Sequence, residues 1–156
     1  MSKTLQVGSD IFKYPEQGTN PGWGEEATAW AEAVTDALKS VQGPNDILLT
    51  SAALANNITT LTNIPGFNFD TSDVQAVTAE FFVIRVYDSG ATTVAQSGSM
   101  AGNYDGSTFY LTVQSVGDAG MDFDITNAGQ VQYKSSDLAN HMSTTIRFKA
   151  KTIDQP

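Results

Sequence analysis

The chain has 156 residues, no cysteine, and a formal net charge of -9 from 17 acidic against 8 basic side chains. That length suits one domain with room for a short extra element. The acidity weighs against nucleic acid and anionic membrane surfaces, both of which require clustered Lys and Arg, and the absence of thiols removes disulfides, a cysteine nucleophile and any Cys-based metal centre.

The N-terminal MSKTLQVGSDIF has no apolar h-region and no small-residue cleavage site, so the chain is expected to be made and folded in a cytoplasm. QVGSDIF suits a short strand. KYPEQGTNPGWG follows, where Pro15, Gly18, Pro21, Gly22 and Gly24 crowd together as turn formers in an extended arm. From Glu25 to Val41 one amphipathic helix is predicted. Trp23, Ala27, Trp30, Val34, Ala37 and Val41 recur at alternating steps of four and three, a helical stripe and a short heptad seam. Glu25 and Glu26 sit at the positive end of the helix dipole, and Gly43-Pro44 stops the helix. Such a stripe suits either a helix laid on its own domain or one that packs on symmetry mates or a larger assembly.

Asn45 opens the second region, 45–156, after an N-terminal region of residues 1–44. DILLT reads as a short edge strand. SAALANNITTLTNI is helical by its Ala and Leu content but β by the branched residues of ITTLTNI, and a strand is predicted from Ile58. Pro65-Gly66 is expected to turn the chain. Thr78 to Tyr87 is the strongest strand, with Phe81, Val83 and Tyr87 on one face and Phe82, Ile84 and Val86 on the other. Two apolar faces require two covers, the second from a helix, a loop or another subunit. Asp88-Ser89-Gly90 turns, TTVAQSGSM returns as a weaker strand, and residues 102–106 turn again.

Beyond that point the alternation is clean. Phe109, Leu111 and Val113 oppose Tyr110, Thr112 and Gln114, and Met121, Phe123 and Ile125 oppose Asp122, Asp124 and Thr126. Asn127-Ala128-Gly129 closes a hairpin onto Val131 and Tyr133. Ile146, Phe148 and Ala150 oppose Arg147, Lys149 and Lys151 in the last strand. One dry face and one wet face, repeated, indicate a mainly β protein, an antiparallel sandwich or jelly roll.

No residue pattern points to catalysis, a metal or a cofactor. His141 is the only histidine and lies in SSDLANHMSTT, a loop signature without a nucleophile elbow. Asp118, Asp122 and Asp124 form an acidic group around a turn and a strand, in which Asp122 and Asp124 read as the strand's solvated face, with Arg147, Lys149 and Lys151 available to pair across the sheet. Tyr87, Tyr104, Tyr110 and Tyr133 are candidates to line a sugar-binding face, which makes a carbohydrate-binding module the alternative role. The formal glycosylation sequon Asn57-Ile58-Thr59 matters only in a secreted eukaryotic protein.

The segment KYPEQGTNPGWGEEATAWAEAVTDAL (residues 13–38) resembles the N-terminal adaptor of tailed-phage virion proteins, and FDITNAGQVQYKSSDLANHMSTTIRFKAKTI (residues 123–153) is similar to a β domain of phage structural proteins. The resemblance implies a small, multicopy, non-enzymatic virion component, assembled in the host cytoplasm, trimeric, and bound to other virion proteins of capsid, neck or tail. A decoration, cement or short-fibre role is the expectation. Phe12, Tyr14, Trp23, Trp30, Val34, Leu38, Phe81 and Phe82 are the candidate docking or oligomer residues, with the two Trp side chains as buried anchors.

Overall fold

A computed structural model describes residues 4–7, 10–13, 28–35, 43 and 45–155. The chain divides into two compact units, Met1–Pro44 and Asn45–Pro156. In the first, β1 (Thr4–Val7) pairs antiparallel with β2 (Asp10–Lys13), Thr4 opposite Lys13. Residues 28–35 form a helix, α1. The Pro/Gly-rich arm and both ends of the helix expected over 25–41 lie outside the described residues.

The second unit is built from β3 (Ile47–Leu54), β4 (Ile58–Asn68), β5 (Val74–Tyr87), β6 (Thr92–Tyr104), β7 (Phe109–Gly117), β8 (Met121–Ile125), β9 (Gln130–Ser135) and β10 (His141–Asp154). They form two antiparallel sheets, a five-stranded one ordered β3-β10-β5-β6-β7 and a three-stranded one ordered β4-β9-β8. The fold is mainly β, as the alternation demands. The core lies between the two sheets. From the large sheet it takes Ala79, Phe81 and Val83 of β5, Met100 of β6 and Ile146 and Phe148 of β10. The small sheet contributes Ile64, Phe67, Met121, Ile125, Val131 and Tyr133. The rings of Phe67 and Phe148 stack across the sheets, 4.1 Å between centroids and 7° from parallel. Burying each large apolar side chain contributes roughly 1.5–3 kcal/mol, so this set dominates the favourable side of folding.

Several boundaries differ from the expectation, each for a physical reason. The Ala-rich SAAL is strand, because the sheet's edge overrides its helical propensity. Pro65-Gly66 does not turn the chain; β4 runs through it with irregular register against β9. Proline is tolerated there because β4 is an edge strand, and Gly66 takes φ +73°. The irregularity also resets the alternation, so that Ile64 and Phe67 both face the core despite their odd spacing. Gln130 Nε2 fills the gap, donating to the carbonyls of Ile64 (3.0 Å), Phe67 (3.1 Å) and Val131 (2.8 Å).

TTVAQSGSM is no weak strand. It is part of β6, thirteen residues long and paired on both sides. Gly102–Tyr104 belongs to that strand, and the turn falls at residues 105–108, where Asp105 N–H bonds Thr108 O at 3.2 Å. The expected β8–β9 hairpin is present, closed by Gly129 N–H to Thr126 O at 2.9 Å.

Gly98, in the middle of β6, is required by close approach. A Cβ built there lies 1.9 Å from Gln114 O and 2.8 Å from Ser115 Cα, both on β7. Gly98→Ala forces the two strands apart and is expected to lower stability by about 1–3 kcal/mol, read from denaturant unfolding monitored by circular dichroism.

Candidate functional site

Among the described residues, no His, Asp or Glu side chains group in threes as a metal site. His141 is in the first residue of β10, and its Nε2 hydrogen-bonds Thr144 Oγ1 at 2.8 Å. The three aspartates lie on or beside the small sheet. Asp118 accepts from Gly120 N–H at 2.7 Å, Asp122 is opposite Lys134, and Asp124 accepts from Ile125 N–H at 2.8 Å. Asp122 and Asp124 are the exposed face of β8, as its alternation predicts, and Asp118 lies in the β7–β8 connection, but none of them pairs with β10's cations. Those lie on the other sheet, where Lys149 meets Glu80 at 2.8 Å and Lys151 meets Asp46 at 3.6 Å.

The tyrosines do not gather into one platform. Tyr133 is buried, with its hydroxyl accepting from Ala55 N–H at 2.9 Å. Tyr104 packs on Phe109 at 5.7 Å, and Tyr110 donates to Asp105 Oδ2 at 3.2 Å. Tyr87 is half-buried at the end of β5.

What the fold does present is the outer face of the five-stranded sheet. β5 sends Phe81, Val83 and Arg85 inward, and Phe82, Ile84 and Val86 outward. Phe81 is therefore enclosed in the core, its ring 4.9 Å from that of Phe123, whereas Phe82 is 42% exposed. Phe82 is flanked by Arg147 on β10 and Ser97 on β6. Phe82 and Arg147, with Leu49, Glu80 and Lys149, border an open depression of about 330 Å³. The neighbouring edge strand β3 is irregular against β10. Thr50 faces Phe148 and Ile47 faces Ala150, so Leu48 and Leu49 together oppose one residue. Both leucines project into solvent.

Of the other expected contact residues, Trp30 in α1 is 44% exposed and Val34 is partly covered. Phe12 is in β2, where only the backbone is described, and Tyr14, Trp23 and Leu38 lie outside the described residues.

The residue that sequence reasoning passed over is Arg85. It sits on the dry face of β5, at a position where alternation alone asks for an apolar side chain, and is 1% exposed. Nη1 donates to Ala119 O (2.6 Å) and Ser136 Oγ (3.2 Å), and Nη2 donates to Ser136 O (2.9 Å) and to Asn56 Oδ1. Nε has no partner among the described residues. Asn56 in turn donates to Asp137 Oδ1 (3.0 Å) and Leu138 O (3.2 Å). One guanidinium thus ties together three connections, β3–β4, β7–β8 and β9–β10. Burial pushes its pKa down, and the nearby carboxylate of Asp137 opposes that shift. The sequence signal was Arg85's odd-numbered place in the series 81, 83, 85: a cation on the dry face implies buried oxygens to receive it.

Two turns carry perturbed carboxylates. The Asp105 carboxylate accepts from the amides of Thr108 (2.8 Å) and Ser107 (2.9 Å), and the hydrogen bond from Ser72 N–H to Asp70 is 2.9 Å. These backbone hydrogen bonds hold both groups below their ordinary value of 3.8. A depressed carboxylate stabilises the fold above its unfolded pKa, and the benefit is lost as pH falls through the folded one. Stability is therefore expected to decline below about pH 4, and Asp70→Ala with Asp105→Ala should flatten part of that decline in urea titrations run across the acid range. Arg85→Leu removes the donor from four acceptors, of which Ala119 O is the buried one, and is expected to cost roughly 1–3 kcal/mol. Arg85→Lys cannot reproduce the fork and should recover only part of that loss in the same unfolding assay.

No family model and no curated protein matches the chain. Among solved structures, it is similar to the tailspike protein of Acinetobacter phage vB_ApiP_P1, at 11% identity and a TM-score of 0.37. That similarity covers 70% of this chain and spans 20% of the tailspike.

Proposed function

We propose that the protein is a non-enzymatic structural component of a phage particle, attached through its N-terminal unit and displaying or stabilising with its β-sandwich. The observation that carries the proposal is the division at residues 44 and 45. It separates a segment that resembles a virion adaptor from a sandwich that has a hydrophobic core of its own. Trp30 on α1 remains 44% exposed, the property of an anchor awaiting a pocket. The outer face around Phe82, Leu49 and Arg147 offers a second contact surface, apolar at its centre and bordered by Arg147 and the Lys149–Glu80 ion pair. Capsid decoration, cement or short fibre is the role; the partners are other virion proteins and further copies of this chain.

The expected outcome in particles purified from infected cells is recovery of the full chain by mass spectrometry. A chain lacking residues 1–44 should keep the sandwich's cooperative unfolding yet no longer co-sediment with particles. Trp30→Ala should weaken co-sedimentation by about thirtyfold, the effect of losing a hot-spot aromatic. Undiminished binding by the shortened chain would remove the docking role from the N-terminal unit.

A further inference from the structure

An edge strand offers unpaired N–H and C=O groups to any chain that can lie beside it. The sandwich has four edges, β3 and β7 in the large sheet and β4 and β8 in the small one. Three carry a device against pairing. β3 is interrupted at Leu48–Leu49, β4 is irregular and contains Pro65, and β8 is five residues long with Asp122 and Asp124 exposed. β7 carries none. It runs nine residues in unbroken register with β6 and contains no proline and no charged side chain.

β7 is also incompletely covered. Phe123 of β8 packs under Phe81 of β5, and Gln96 of β6 reaches Met121 O at 3.1 Å. β8 therefore lies beneath β5 and β6, not beneath the middle of β7. Leu111 and Val113 point inward but are only half-buried.

We infer that β7 pairs antiparallel with β7 of a second copy, about a two-fold axis at Val113, joining the two five-stranded sheets edge to edge. The hydrogen-bonding parity fits. Phe109 N–H, met by Asn127 Oδ1 at 3.4 Å, faces away from β6, and the antiparallel alternation puts the amides of Leu111, Val113 and Ser115 on that same free side. With Val113 opposite Val113 of the second copy, Leu111 meets the copy's Ser115 in a hydrogen-bonded pair. On the outer face Tyr110 (57% exposed) then lies beside the copy's Val116 (79% exposed), an aromatic and β-branched pair of the kind that stabilises sheets. Thr112 faces the copy's Gln114. Because each chain carries a net charge of -9, an uncharged strand is where two copies approach with least repulsion. The contact is isologous and closes at two copies, unlike the threefold association that the sequence resemblance implies.

The test uses the full chain and measures mass by light scattering at the highest soluble concentration. Thr112→Lys with Gln114→Lys places lysine opposite lysine at two exposed positions, leaving the chain's own core and ladder untouched. Dimerisation should weaken by about tenfold or more, with the unfolding midpoint at low protein concentration unchanged. A mixture of Thr112→Cys and Gln114→Cys chains should form a disulfide-linked dimer on oxidation, while neither alone does so; the chain has no native cysteine to confuse the result. A monomer at all concentrations overturns the inference. So does an assembly whose mass survives the lysine pair without cross-linking, since that places the contact elsewhere. Cross-linking of Thr112→Cys chains alone would assign a different register and overturn this one.

Discussion

The buried guanidinium of Arg85 is the constraint on which one end of the sandwich depends. A cation removed from water is costly unless its donors are used, and here four oxygen acceptors from three separate connections receive it. Two of these are main-chain carbonyls, of the buried Ala119 and of Ser136. Asn56 extends the arrangement to Asp137, so a carboxylate balances the charge from one residue further out. The opposite consequence is also built in. Few side chains other than arginine present enough donors in a planar fork to serve all of these acceptors.

Elsewhere the sandwich is held by hydrophobic packing, and its sheets reach that packing only through irregularities. The stack of Phe67 on Phe148 exists because β4 loses register around Pro65-Gly66 and turns Phe67 inward. Gln130 then satisfies the carbonyls that the irregularity frees. At Gly98 the backbones of β6 and β7 come so close that no side chain fits between them. Each device costs something locally and is stable because the surrounding core fixes it.

Surface features follow from how the sheets end and overlap. The small sheet covers only part of the large one, so β7 projects with half-buried Leu111 and Val113, while Phe82 and Leu49 remain on the opposite, outer face. The proposed virion role rests on the resemblance of residues 13–38 and on the division of the chain into two units.

The sequence by itself determined the fold class and most of the dry faces. Strict alternation over residues 109–114, 121–126, 130–133 and 146–151 can bury its apolar set only as strands, because the side-chain period of a strand is two. The same logic made the aspartates of β8 a wet face. Tertiary structure decided what alternation could not encode. Which strands lie side by side depends on long-range pairing, so the cations of β10 meet Glu80 and Asp46 and not the aspartates of β8. Where strands are irregular, the period breaks, and Pro65-Gly66 reads as a turn although the strand continues. Phe81 and Phe82 look equivalent in sequence, yet one is core and the other surface, because only one face of β5 has a sheet beneath it. Arg85 was visible as an exception to the pattern, but its acceptors come from connections 29, 34 and 51 residues away, and only folding brings them together.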